Sequence, residues 1–118
     1  MAKRILLLED EGDVGDLFRL GLESSGYAVD TTATVAEARQ RLAALRYDAA
    51  IVDLRLPDGN GLEIADQAAD LGAKTFILSG YLFNVPAGTA RHHEILMKPI
   101  RPRELVDAVQ RAIGPTSA

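Results

Sequence analysis

Apolar residues recur along this chain in two alternating rhythms. Short, nearly continuous runs occur at Ile5-Leu6-Leu7-Leu8, Ala49-Ala50-Ile51-Val52, Phe76-Ile77-Leu78 and Ile95-Leu96-Met97. Runs of about four apolar residues bounded by turn signals read as strands buried on both faces of a parallel sheet. Between them the apolar positions recur at three- and four-residue intervals, the spacing of amphipathic helices. The first such stretch opens near Asp13, carries Val14, Leu17, Phe18, Gly21 and Leu22 on one face, and closes at Gly26. Tyr27 to Thr31 forms a weaker second strand. Thr34-Val35-Ala36-Glu37 is a capping box opening a second helix with Val35, Ala38, Leu42 and Leu45 inward. The third strand is expected from about Asp48 to Asp53, the third helix from Leu62 to about Leu71, and the fourth strand over Thr75 to Leu78. Leu56 to Gly61 reads as a turn-rich loop.

Gly80 to His93 is the least regular stretch, with Pro86 and Gly88 interrupting any helix. A fourth helix is expected there on topological grounds, but short or mobile. A fifth strand follows at about Glu94 to Met97. The final helix starts near Pro102, buries Leu105, Ala108, Val109, Ala112 and Ile113, and stops at Gly114-Pro115. Strand–helix alternation implies a doubly wound α/β sheet with right-handed crossovers.

The polar residues at the ends of these runs carry the chemistry. Glu9-Asp10, Asp53, Ser79 and Lys98 each follow their own apolar run. Ligands of open α/β sheets bind beyond the carboxyl ends of the strands, at the switch point. One edge would therefore gather three carboxylates, a hydroxyl and an ammonium, suited to a divalent cation and a phosphoryl group.

Composition narrows the alternatives. The chain has 118 residues, 47% hydrophobic and 25% charged, a single folded domain by size, with a core over about 3–114 and a loose tail at 115–118. Such a length buries roughly 65% of the unfolded surface. A net charge of −4 without a basic stripe argues against nucleic acid. No cysteine is present, so disulfides and thiolate metal sites are excluded. The apolar run after Lys3-Arg4 ends at Glu9, too short for a signal peptide, and no run approaches the roughly 18 residues of a membrane span. A cytoplasmic protein is the expectation.

The ordered set Glu9-Asp10, Asp53, Ser79-Gly80 and Lys98-Pro99, with the loop Leu56-Pro57-Asp58-Gly59, resembles the signature of response-regulator receiver domains across essentially the whole chain. The resemblance implies a flavodoxin-like (βα)5 fold with strand order 2-1-3-4-5. It also implies phosphoryl transfer from a histidine kinase or a histidine phosphotransfer protein to Asp53. By that resemblance Asp10, Asp53 and the backbone carbonyl of Arg55 hold Mg²⁺ (or Mn²⁺), with Glu9 acting through water. Lys98 pairs with a phosphoryl oxygen, Ser79 bonds another after transfer, and Lys98-Pro99 is cis. The chemistry is sound on general grounds: a carboxylate attacks phosphorus poorly until a hard cation neutralises both partners.

The chain departs from the family in one place. Receivers usually carry Tyr or Phe three residues before the strand-five lysine, where Ile95 stands here. Aromatic rotation there cannot be the readout, and Tyr81 with the segment to His93 is expected to carry the switch. Arg55 and Tyr81, both bulky, occupy positions flanking the water path, which implies slow loss of phosphate. His92-His93 reads as a solvated pair. The expected function is a stand-alone phosphoacceptor or relay component acting through protein contacts, as a monomer or weak dimer, and not a turnover enzyme. A receiver fragment of a larger regulator and an unphosphorylated docking module are the alternatives. A haloacid-dehalogenase-type phosphatase would need an acid two residues after Asp53, where Arg55 stands.

Overall fold

The computed structural model describes residues 2–80 and 85–115. Its elements in chain order are β1 (Arg4–Leu8), α1 (Gly12–Ser24), β2 (Ala28–Thr32), α2 (Val35–Ala44), β3 (Ala49–Asp53), β4 (Arg55–Leu56), β5 (Gly59–Asn60), α3 (Gly61–Asp70), β6 (Lys74–Ser79), β7 (Glu94–Met97) and α4 (Pro102–Ile113). Five strands form one parallel sheet in the order β2-β1-β3-β6-β7. This is the flavodoxin-like arrangement the sequence implied, and the boundaries agree with expectation to within about two residues.

Period-two alternation divides the core. Leu6, Leu8, Ala50, Val52 and Ile77 point to one face, where Val35, Ala38 and Leu42 of α2 and Ile64, Ala65 and Ala68 of α3 cover them. Ile5, Leu7, Ala49, Ile51, Phe76 and Leu78 point to the other, under Phe18 and Leu22 of α1 and Leu105, Val106 and Val109 of α4. Both faces of the central strands are thus apolar, which is why they read as unbroken runs rather than alternating ones.

Helix starts follow local chemistry. Thr34 Oγ1 accepts from Glu37 N at 3.1 Å, as its capping box requires. Asn60 Oδ1 accepts from Leu62 N at 2.8 Å to open α3, and Glu104 Oε1 accepts from Arg101 N at 3.1 Å at the start of α4. Gly26, at φ 95°, takes the left-handed conformation that ends α1 and lets the chain turn into β2.

Four expectations need correction. The turn-rich loop after Asp53 carries strand pairing that was not expected: Arg55 pairs with Asn60 and Leu56 with Gly59 as a small antiparallel hairpin. Between residues 85 and 93 no α-helix forms, only a 3-10 turn at Thr89–Arg91. Leu17 is 56% exposed and Leu45 38% exposed, so neither belongs to the core. Leu17 lies at the edge of the α1 stripe, and Leu45 is already past the last turn of α2. His93 is buried, not solvated: its Nε2 lies 2.7 Å from Asp66 Oδ1 and its Nδ1 meets the Thr75 hydroxyl.

Candidate functional site

The strand ends build the site. β1 and β3 run side by side with Leu8 opposite Val52, so Glu9 and Asp53 emerge as neighbours. β3 places Asp53 opposite Leu78 of β6, and β6 places Ser79 opposite Met97 of β7, one residue before Lys98. Parallel pairing brings these ends to one edge, although they lie far apart in sequence.

At the centre, Lys98 Nζ donates to Asp53 Oδ2 at 2.8 Å. The same ammonium lies 3.3 Å from Glu9 Oε2 and 3.4 Å from Oε1. Asp53 Oδ1 accepts from the backbone N of Arg55 at 3.2 Å. Glu9 and Asp53 are buried, whereas Asp10 stands in solvent. One carboxylate oxygen from each of Glu9, Asp10 and Asp53 falls within 4.8 Å of the others. Asp10, Asp53, Arg55, Ser79 and Lys98 share the walls of a cleft of about 250 Å³. Ser79 is 3% exposed, and its carbonyl accepts from Lys98 N at 2.8 Å, tying the two strand ends together. The Lys98-Pro99 bond is cis, as expected.

The electrostatics mark an excess of buried negative charge. Burial, and then the neighbouring charge of Asp53, push the Glu9 carboxyl up to about 7, with Lys98 offsetting only part of the effect. For Lys98, burial acts to lower the pKa. The hydrogen bond and charge of Asp53, with Glu9 behind them, outweigh it and hold the ammonium above its usual range. The Lys98 ammonium meets the two buried carboxylates, while exposed Asp10 and Arg55 stand on the cleft walls. The clustered donors are all oxygen and anionic, which fits a hard divalent cation and no soft one.

The comparisons with known proteins bear on this edge directly. The family model "Response regulator receiver domain" matches residues 5–110. The chain belongs to the response-regulator receiver domain family. Response regulator receiver protein CpdR of Brucella abortus is 28% identical over 94% of this chain and 97% of its own length. Regulatory protein VanR of Enterococcus faecium is 31% identical over 93% of this chain, which spans only 49% of it. Among solved structures, a CheY-like receiver domain from Methanospirillum hungatei JF-1 superposes with a TM-score of 0.85 at 27% identity, covering 96% of this chain and 94% of that one. The response regulator TrrA from Thermotoga maritima, in complex with Mg²⁺-BeF, superposes with a TM-score of 0.81 at 28% identity, covering 92% of this chain and 97% of that one.

Of the residues singled out from sequence, Glu9, Asp10, Asp53, Arg55, Ser79 and Lys98 converge in this receiver. Pro99 adjoins them through its cis bond. Ile95 lies on β7, half-buried and packed against the core face covered by α2 and α3. It is away from the cleft walls. Tyr81 lies outside the described residues. In sequence, Asp58 and Gly61 stand in the turn-rich loop without an assigned role; the Asp58 carboxylate bridges to α2. A Cβ on Gly61 would come within 2.0 Å of the Asp53 carbonyl oxygen and 2.4 Å of Val52 Cγ1. Among the described residues, no helix is long and apolar enough to cross a membrane.

Proposed function

We propose that this receiver takes a phosphoryl group on Asp53 from a phosphohistidine donor, with Mg²⁺ (or Mn²⁺) bound by the acidic cluster, and so switches its contacts with another protein. The observation that carries this reading is the 2.8 Å contact between Lys98 Nζ and Asp53 Oδ2, inside a cluster of three carboxylates. Asp10, Asp53 and the Arg55 carbonyl would hold the cation, with Glu9 behind them. The cation would neutralise phosphoryl charge and let two anions approach.

The remaining chemistry belongs to the chain's own residues. An Asp53 carboxylate oxygen attacks phosphorus, the phosphorus–nitrogen bond of the donor breaks, and the imidazole leaves with the electron pair. Lys98 exchanges its bond to Asp53 for one to a phosphoryl oxygen. Ser79, at the adjoining strand end, supplies a hydroxyl to another. The Lys98 backbone N–H donates to the Ser79 carbonyl, so the phosphoryl-binding lysine and hydroxyl stand on strand ends joined by a backbone bond, and a local charge event at the site would be felt at the end of β6. The donor has to reach Asp53 from outside. A groove of about 520 Å³, walled by Val14 and Phe18 of α1 and by Pro99 and Ile100, opens beside Lys98. Leu20 on α1 is 63% exposed and, with Leu17, offers apolar area for such a donor. The domain performs its own phosphorylation and its own slow hydrolysis, and turns over no external phosphoester.

Intact mass after incubation with acetyl phosphate tests this. The expected result is a Mg²⁺-dependent gain of one phosphoryl group that Asp53→Asn abolishes. A gain independent of Mg²⁺, or one retained in the variant, would overturn the assignment of Asp53. Failure to gain mass from acetyl phosphate and from a phosphorylated histidine kinase alike would leave a docking module instead.

A further inference from the structure

We propose that Asp58 is a positioning residue for the cation and phosphoryl site: by bridging to the N-terminus of α2 it holds the β4–β5 hairpin in place and couples occupancy of the cleft to α2. This rests on the receiver reading above and concerns a contact outside the acidic cluster.

The hairpin begins two residues after Asp53, and its first residue, Arg55, lines the cleft. Its base is fixed on the sheet side. Leu54 N donates to Leu78 O at 3.1 Å, and Gly61 N donates to Leu54 O at 2.9 Å. Its far end is fixed by one side chain. Asp58 Oδ1 accepts from Val35 N at 2.8 Å and Oδ2 accepts from Ala36 N at 3.1 Å. A single carboxylate thus takes two successive amides of a helix that starts more than twenty residues earlier in the chain.

The helix does not need Asp58 in order to start. Thr34 already caps it through Glu37 N. Asp58 adds the two amides that Thr34 leaves open, at the positive end of the helix dipole, where a carboxylate is favoured. Those bonds with Val35 and Ala36 hold the Asp58 carboxyl below its ordinary range. The hairpin backbone also rests on the same helix: a Cβ built on Gly59 would lie 3.5 Å from Val35 Cγ2. Farther along, Arg39 of α2 pairs with Glu63 of α3 at 2.6 Å, so α2 is also tied to the helix that follows the hairpin.

The consequence is mechanical. Two short strands with few ladder bonds hold their shape poorly alone. Without the Asp58 bridge, the segment presenting the Arg55 carbonyl would sample several positions, and ordering it would cost part of the cation's binding free energy. Coupling of this kind is reciprocal, so cation binding must also be felt at Val35 and Ala36.

The test is calorimetric titration of Mg²⁺ into the full chain, its Asp58→Ala variant and its Thr34→Ala variant, well below the unfolding temperature of each. Thr34→Ala weakens the same helix start without touching the hairpin. The expected result is Mg²⁺ binding weakened roughly three- to thirtyfold by Asp58→Ala and left unchanged by Thr34→Ala. Equal weakening by both, or by neither, would overturn the proposal. Amide shifts of Val35 and Ala36 during Mg²⁺ titration of the unaltered protein decide the matter if Asp58→Ala does not fold: movement that saturates with the cation supports the coupling, and stationary amides exclude it. Absence of Mg²⁺ binding by the unaltered protein would instead remove the proposed cation-dependent phosphoryl acceptance, and this proposal with it.

Discussion

Glu9 shows how one side chain records what the site is built to accept. Its carboxyl is raised from 4.5 to about 7 by burial and by Asp53. The folded state therefore holds a proton that the unfolded state releases near pH 4.5, and stability falls as pH rises through that window. Metal-free protein is expected to be more stable at pH 5 than at pH 8, with the change attributable to this group on the order of 1–3 kcal/mol. Glu9→Gln, which carries no charge to bury, should flatten that part of the profile. Urea midpoints at the two pH values check it, and an equal slope in both proteins would refute the account. Gly61 makes a steric point at the same scale. Adding a methyl group would drive it into the Asp53 carbonyl oxygen, 2.0 Å away. A backbone contact cannot yield as a side chain can, so Gly61→Ala should cost about 3 kcal/mol, the upper end for overpacking, and displace Asp53. Equilibrium unfolding measures the first effect and the rate of phosphorylation the second.

At the scale of elements, the strands and long helices were legible because each repeats one rhythm for several turns or pleats. What was not legible depends on partners remote in sequence. The β4–β5 hairpin has two residues per strand, too few to show a period. His93 sits in an irregular, polar stretch, yet Asp66 from α3 and Thr75 from β6 close over it. Nothing local signals that burial. The pairing bears on the proposed switch. It anchors the chain just before β7, while Ser79 anchors the other end at β6. If Asp53 is phosphorylated as proposed, a rearrangement reaching beyond Ser79 would have to stop at the His93 anchor. His93→Ala leaves the buried Thr75 hydroxyl without its ring partner and opens a cavity, at a cost of about 2–4 kcal/mol. It should also speed amide exchange in Glu94 to Met97 more than in β1 or β3. Exchange that rises uniformly over the sheet would mean that His93 stabilises the domain at large and does not anchor this segment.

For the molecule as a whole, the sheet separates two tasks. Its two faces bury the apolar layers that hold the fold, and its carboxyl-terminal edge concentrates charge that the fold tolerates at a cost. Metal-free, that edge crowds the carboxylates of Glu9, Asp10 and Asp53 together, with the Lys98 ammonium in contact with Glu9 and Asp53. A cation binding the folded state alone must then stabilise the entire domain by mass action, about 2.7 kcal/mol at a hundredfold excess over its dissociation constant. For a chain of this size that corresponds to a rise in unfolding temperature of roughly 10 °C. Asp10 separates this effect from general screening, because it stands in solvent and makes none of the buried contacts of Glu9 and Asp53. Asp10→Asn should leave the metal-free unfolding temperature within about 2 °C, since surface substitutions change little. The same substitution should abolish most of the rise with Mg²⁺. Thermal unfolding with MgCl₂, compared with KCl at equal ionic strength, reads both quantities. If KCl produced the same rise, or Asp10→Asn kept it, the stabilisation would come from screening of the acidic edge and not from a cation held there.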